Sequence, residues 1–110
     1  PAFAKATVRI ENQSHPLAKG LPSSFTIDRE EWYTWSKSPR PEVDVLATVD
    51  ESSYVPETRT KMGGDHPVIW SNPHYAARNV YIFMGHDEGL FMSPEFRQLF
   101  RNAVFWGAGR

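Results

Sequence analysis

Apolar residues recur at two spacings, at every second position through most of the chain and at every third or fourth position near its end. Thr7-Val8-Arg9-Ile10-Glu11 alternates as a half-buried strand does. Ser24-Phe25-Thr26-Ile27 repeats the alternation after the turn formers Gly20 and Pro22. From Val43 to Val49 the residues are β-branched and nearly continuous in apolar character, which predicts a strand buried on both faces. Pro67-Val68-Ile69-Trp70 and Val80-Tyr81-Ile82-Phe83-Met84 read as two more strands, with a turn region from Asn72 to Asn79 between them. The period then changes. Phe96, Leu99, Phe100, Ala103 and Val104 fall on one helical stripe. Ser93 is suited to cap that helix, Pro94 to open it, Glu95 to face the positive end of its dipole, and Gly107 and Gly109 to stop it. A helix with such a stripe needs a sheet to cover, so the class is α/β.

The connections are less regular. Asn12-Gln13-Ser14 carries turn chemistry, His15-Pro16 breaks any helix, and Ser38-Pro39-Arg40-Pro41 is a stiff linker. Asp28 to Trp35 is dense in acids and aromatics and follows no clean period. Asp50 to Asp65 is polar, contains Pro56, Gly63 and Gly64, and predicts a long surface loop.

At 110 residues there is room for one domain, and 40% hydrophobic with 23% charged residues is enough apolar material for a core. The net charge is −1 with the basic residues scattered, which argues against nucleic acid as a partner. No apolar run is long enough to span a bilayer, so no membrane partner is expected. The absence of cysteine removes disulfides, thiolate metal sites and a cysteine nucleophile from these residues. The opening at Pro1, running almost at once into strand-like sequence, suggests a clipped start.

Two stretches carry candidate chemistry. Gly85-His86-Asp87-Glu88 follows directly on a strand, where loops of α/β sheets present side chains to a crevice. His86 there suits acid–base work near neutral pH, with Glu88 available to orient it. Asp28-Arg29-Glu30-Glu31-Trp32-Tyr33-Thr34-Trp35 sets carboxylates beside flat rings, a combination that binds sugars by stacking and by hydroxyl hydrogen bonds. The competing reading is that Trp32, Tyr33 and Trp35 pack a small core. His15, His66, His74 and His86 lack tight ligand spacing, so neither a metal nor a cofactor is expected.

The ordered set His15-Pro16-Leu17-Ala18-Lys19-Gly20-Leu21-Pro22, Glu30-Glu31-Trp32-Tyr33, Val45 to Tyr54, His66-Pro67-Val68-Ile69-Trp70, Val80 to His86 and Phe96 to Trp106 resembles the trehalose-utilisation (ThuA-like) family. That family is similar in fold to the class I glutamine amidotransferases. The resemblance implies that residues 1–110 are the C-terminal portion of a flavodoxin-like three-layer domain, with the opposite wall of the site contributed by the missing N-terminal half or completed in a homo-oligomer. It also implies a bacterial protein, of cytoplasm or periplasm. His86-Asp87-Glu88 looks like the counterpart of the amidotransferase His-Pro-Glu, but without a cysteine glutamine hydrolysis is not expected. The chain departs from the family at Ala76-Ala77-Arg78-Asn79, where a glycine turn is usual, and at Glu30, where the acidic pair usually begins with Asp.

Two functions follow as expectations. In the first, a glycoside or keto-sugar is processed with His86 and Glu31 as catalytic groups, while Trp32, Tyr33, His66, Trp70 and Glu88 bind the substrate. In the second, the chain is a non-catalytic sugar-binding or interaction module on an inherited fold.

Overall fold

The computed structural model describes residues 3–55 and 61–109. Its five strands are β1 (Phe3–Ile10), β2 (Ser24–Glu31), β3 (Asp44–Val49), β4 (Pro67–Ser71) and β5 (Tyr81–Ile82). They form one sheet in the order β2-β1-β3-β4-β5, and every pairing is antiparallel. The domain is thus a mixed strand-and-helix unit around an antiparallel sheet. All five expected strands are present with shifted ends. β1 starts earlier than the alternation showed, and β5 is shorter, although Phe83 N–H still donates to Val68 O at 2.8 Å. β3 is central, with Leu46, Ala47 and Val49 buried on both of its sides.

β2 runs on to Glu31 through a segment whose alternation fails, and the register gives the reason. Ala4 pairs with Glu30 and Ala6 with Ile27, so two residues of β2, Asp28 and Arg29, oppose Lys5 alone. Such a bulge reverses which side chains point inward beyond it. Phe25 and Ile27 are buried, and past the bulge the buried residue is Glu30 rather than Arg29.

The helix α1 (Pro94–Gly107) begins as expected, with Ser93 Oγ accepting from Phe96 N–H at 3.2 Å. Its buried side differs from the expected stripe. Phe96 and Leu99 are buried and Ala103 and Trp106 partly so, whereas Phe100 and Val104 are exposed. The rotation follows from a polar anchor: Asn102 Nδ2 donates to Leu17 O at 2.9 Å and Lys19 O at 2.8 Å, tying the helix to the short 3₁₀ turn Pro16–Ala18. Leu17 and Leu99 then meet Ile10, Leu46 and Ile69 over the sheet. Phe91, Phe100, Val104 and Phe105 remain as an exposed apolar side. The helix runs through Gly107 and ends where Gly109 turns with φ 80°.

The expected surface loop from Asp50 to Asp65 is partly structured. Asp50 caps a 3₁₀ turn at Glu51–Ser53, and Tyr54 packs against the core; residues 56–60 lie outside the described residues. In the turn before β5, no residue other than glycine has positive φ among the described residues. The Asn79 side chain does the work instead, its Oδ1 accepting from Asn72 N–H at 2.8 Å and its Nδ2 donating to Asn72 O and Ala77 O, both at 3.0 Å.

Candidate active site

The bulge delivers Glu30 inward and Glu31 to the end of β2, beside the loop that follows β5. Gly85 starts that loop with φ 140°, a conformation that glycine alone adopts readily, and the next residue is His86. Its Nδ1 lies 2.8 Å from Glu31 Oε2. A carboxylate only accepts, so Nδ1 carries the proton and Nε2 is left as the working nitrogen. The imidazole side chain is 53% exposed and makes no further side-chain hydrogen bond among the described residues. Phe3 packs its ring against the imidazole edge, 5.3 Å between centroids, and Arg29 stacks over the same Phe3 ring at 4.1 Å. Arg29 also pairs with Asp87, whose other oxygen accepts from Gly89 N–H at 2.9 Å. The loop is thus fixed on both sides of His86.

Tyr33 completes the exposed part. Partial desolvation, then the charge of Glu31 and a hydrogen bond to it, push its hydroxyl pKa above the usual phenol value. Tyr33, Phe83 and His86 line an open hollow of about 270 Å³, floored by Glu30 and Met84.

Of the expected site residues, the structure brings His86, Glu31 and Tyr33 together. The others differ. Glu88 opens the 3₁₀ turn Glu88–Met92 and is exposed, and the carboxylate on His86 is Glu31 instead. Trp32 is buried in the core with Nε1 donating to Ala4 O at 2.9 Å. Trp70 is buried beneath a ladder of rings, stacked on Phe83 at 4.5 Å and on Tyr81 at 6.1 Å, with Trp35 edge-on at 5.7 Å. His66 is 0% exposed: Nε2 donates to Tyr33 O at 2.7 Å, and Nδ1 accepts from Tyr54 hydroxyl at 3.3 Å. Trp32, His66 and Trp70 are buried by their own chain and do not line the hollow.

Glu30 is the functional candidate that sequence reasoning set aside. Its side chain accepts from Glu31 N–H and Gly85 N–H, both at 2.9 Å, and from His86 N–H at 3.4 Å. The departure from the family's usual Asp left Glu30 aside, and plain alternation from Phe25 and Ile27 turns Arg29 and Glu31 inward; only the bulge brings Glu30 to the interior.

Over residues 1–107 the sequence matches the family model ThuA, described as trehalose utilisation. The chain belongs to the ThuA family. A ThuA-like protein of Bacteroides uniformis is 33% identical, with a TM-score of 0.82 over 96% of this chain and 44% of its own. A ThuA-like protein of Parabacteroides merdae, 20% identical, shares the fold with a TM-score of 0.72 over 99% of this chain and 40% of its own. This chain therefore spans less than half the length of either of these ThuA-like proteins. No curated protein matches it.

Proposed function

We propose that this ThuA-family chain supplies the acid–base half of a site that acts on a glycoside or keto-sugar. The observation that carries the reading is the 2.8 Å contact between His86 Nδ1 and Glu31 Oε2 at the rim of an open hollow. The carboxylate fixes the tautomer and stabilises the imidazolium formed when Nε2 takes a proton, the arrangement that lets a histidine serve as general base and then general acid. Tyr33 and the partly buried Phe83 supply ring surface for the apolar face of a sugar. A flavodoxin-like three-layer domain related to the class I glutamine amidotransferases is the proposed parent fold. The exposed apolar side of α1 and the short coverage of the ThuA-like structures support a further part of that domain packing on Phe91, Phe100, Val104 and Phe105.

The test is turnover of trehalose and of its keto derivative by the full-length protein, followed by product chromatography. His86→Ala and Glu31→Gln are expected to lower turnover about 10²–10⁴-fold and tenfold or more, respectively. Native turnover in both variants would end the proposal. The second reading, a non-catalytic sugar-binding module, draws support from the openness of the hollow around Tyr33 and Phe83. Calorimetric binding of trehalose that survives His86→Ala but weakens in Tyr33→Ala, with no turnover in any variant, selects it.

A further inference from the structure

We propose that Glu30 is a positioning residue, a buried carboxylate that sets the His86–Glu31 pair by clamping the backbone of both partners at once. The proposal rests on the acid–base reading of His86, and its first measurement needs no substrate.

Glu30 is 1% exposed, on the inner side of β2. One oxygen accepts from Glu31 N–H at 2.9 Å and His86 N–H at 3.4 Å; the other accepts from Gly85 N–H at 2.9 Å. These three donors belong to two segments far apart in sequence, the end of β2 and the loop after β5. β2 and β5 are at opposite edges of the sheet order, so no strand ladder joins them. Among the described residues, the hydrogen bonds linking the two segments are those of Glu30, the Arg29–Asp87 contact and the Glu31–His86 contact itself. Arg29 and Asp87 are at the solvent side, and Arg29 is largely exposed, so that contact is screened. Glu30 is the buried link.

The chemistry of the clamp requires a carboxylate. Both of its oxygens face N–H groups, and a carboxylate accepts at both. An amide accepts at one oxygen and presents a donor at the other position, so Glu30→Gln sets N–H against N–H on one of the two segments. The unmatched segment must move, and the side chains of Glu31 and His86 move with it. Asp in place of Glu keeps the charge but is one methylene shorter, so it can hold one segment well and the other at a stretched distance.

The experiment reads the pair directly. In the full-length protein, the nitrogen NMR signals of the His86 ring, which report the tautomer and the Nδ1–H hydrogen bond, are recorded with and without Glu31→Gln, in the native, Glu30→Asp and Glu30→Gln backgrounds. Among the described residues, the charged and titratable groups around the ring include Glu31 at Nδ1, Glu30 at its backbone, the Arg29–Asp87 pair beside it, and the Tyr33 hydroxyl through Glu31. Only Glu31 is changed within each pair of measurements. Removing the carboxylate is expected to move the Nδ1 signal in the native background, less with Glu30→Asp, and least with Glu30→Gln. An equal shift in all three backgrounds overturns the proposal. Should Glu30→Gln fail to fold, Glu30→Asp decides alone, because a shift as large as the native one shows that the reach of the clamp does not matter. Turnover of the keto-sugar adds a separate arm: kcat is expected to fall about a hundredfold in Glu30→Gln with KM nearly unchanged. If the ring signals behave as expected while neither Glu30→Gln nor His86→Ala alters turnover, the clamp stands and the acid–base function is what fails.

Discussion

Among the described residues three histidines lie against glutamates, and the contrast between two of them, His86 and His66, separates a candidate chemical site from an architectural one. His86 meets Glu31 at 2.8 Å in an exposed loop, with one ring nitrogen engaged and the other facing the hollow. His66 lies 3.5 Å from Glu51 with no exposed surface, and both of its ring nitrogens are spoken for, by Tyr33 O and the Tyr54 hydroxyl. Glu51 is occupied as well, accepting from Met62 N–H at 2.6 Å. A histidine with a nitrogen to spare can exchange protons with a substrate. One with both nitrogens committed holds backbone in place. The two are connected, because the carbonyl that His66 holds belongs to Tyr33, whose hydroxyl reaches Glu31.

Substitutions can break this contrast in a graded way. The largest effect belongs to His86→Ala, expected to reduce turnover by about 10²–10⁴-fold while leaving stability within about 0.5 kcal/mol, as for other exposed side chains. Paired kinetic and urea-denaturation measurements check both halves, and a large loss of stability would erase the distinction. Next comes His66→Ala, expected to destabilise the fold by roughly 2–4 kcal/mol, since it leaves a cavity and strips the donor from a buried carbonyl. The midpoint of a denaturant titration reads this directly. Tyr54→Phe removes only the hydroxyl on His66 Nδ1 and should cost about 1 kcal/mol by the same assay.

The smallest effect is one of pH. Hydrogen bonds from the Ser52 hydroxyl first, then from Arg9 and the Ser52 amide, lower the Asp50 pKa to about 2, below the usual carboxylate range. A depressed carboxyl pKa means the unfolded chain binds the proton more tightly, so this contribution is intact above about pH 4 and vanishes as pH falls through 2. Asp50 caps the turn that carries Glu51, so Asp50→Asn should be less stable than native at pH 6 and indistinguishable from it near pH 1.5. Thermal melts across that range test the sign.

How much of this was legible in the sequence depends on whether local pattern or long-range register decides. The helix start was legible because Ser93, Pro94 and Glu95 act within one turn. The strands were legible because alternation survives in most of them. The buried side of α1 was not, since Asn102 selects it by bonding to carbonyls more than 80 residues away, leaving Phe100 and Val104 in solvent. At the candidate site, residue type and place in the chain point to His86 and Glu31, and the structure brings the two together. Trp32 and Trp70 were misplaced because residue type gives a ring no direction, and packing turned both into the interior. His66 was misplaced similarly, and only its two hydrogen bonds reveal its task. Glu30 was set aside because Glu stands there where the family usually has Asp, and only a register irregularity gives it its inward place.

That irregularity also makes chain length a determinant of chemistry. The extra residue at Asp28–Arg29 works as a phase change: everything after it changes sides relative to everything before. Losing a single residue there would swap the addresses of the two glutamates, sending the anchored one to solvent and its neighbour inward. The composition would barely differ, yet the imidazole would lose its partner. An indel of one codon in this strand is therefore a more drastic event than most substitutions of the glutamates themselves.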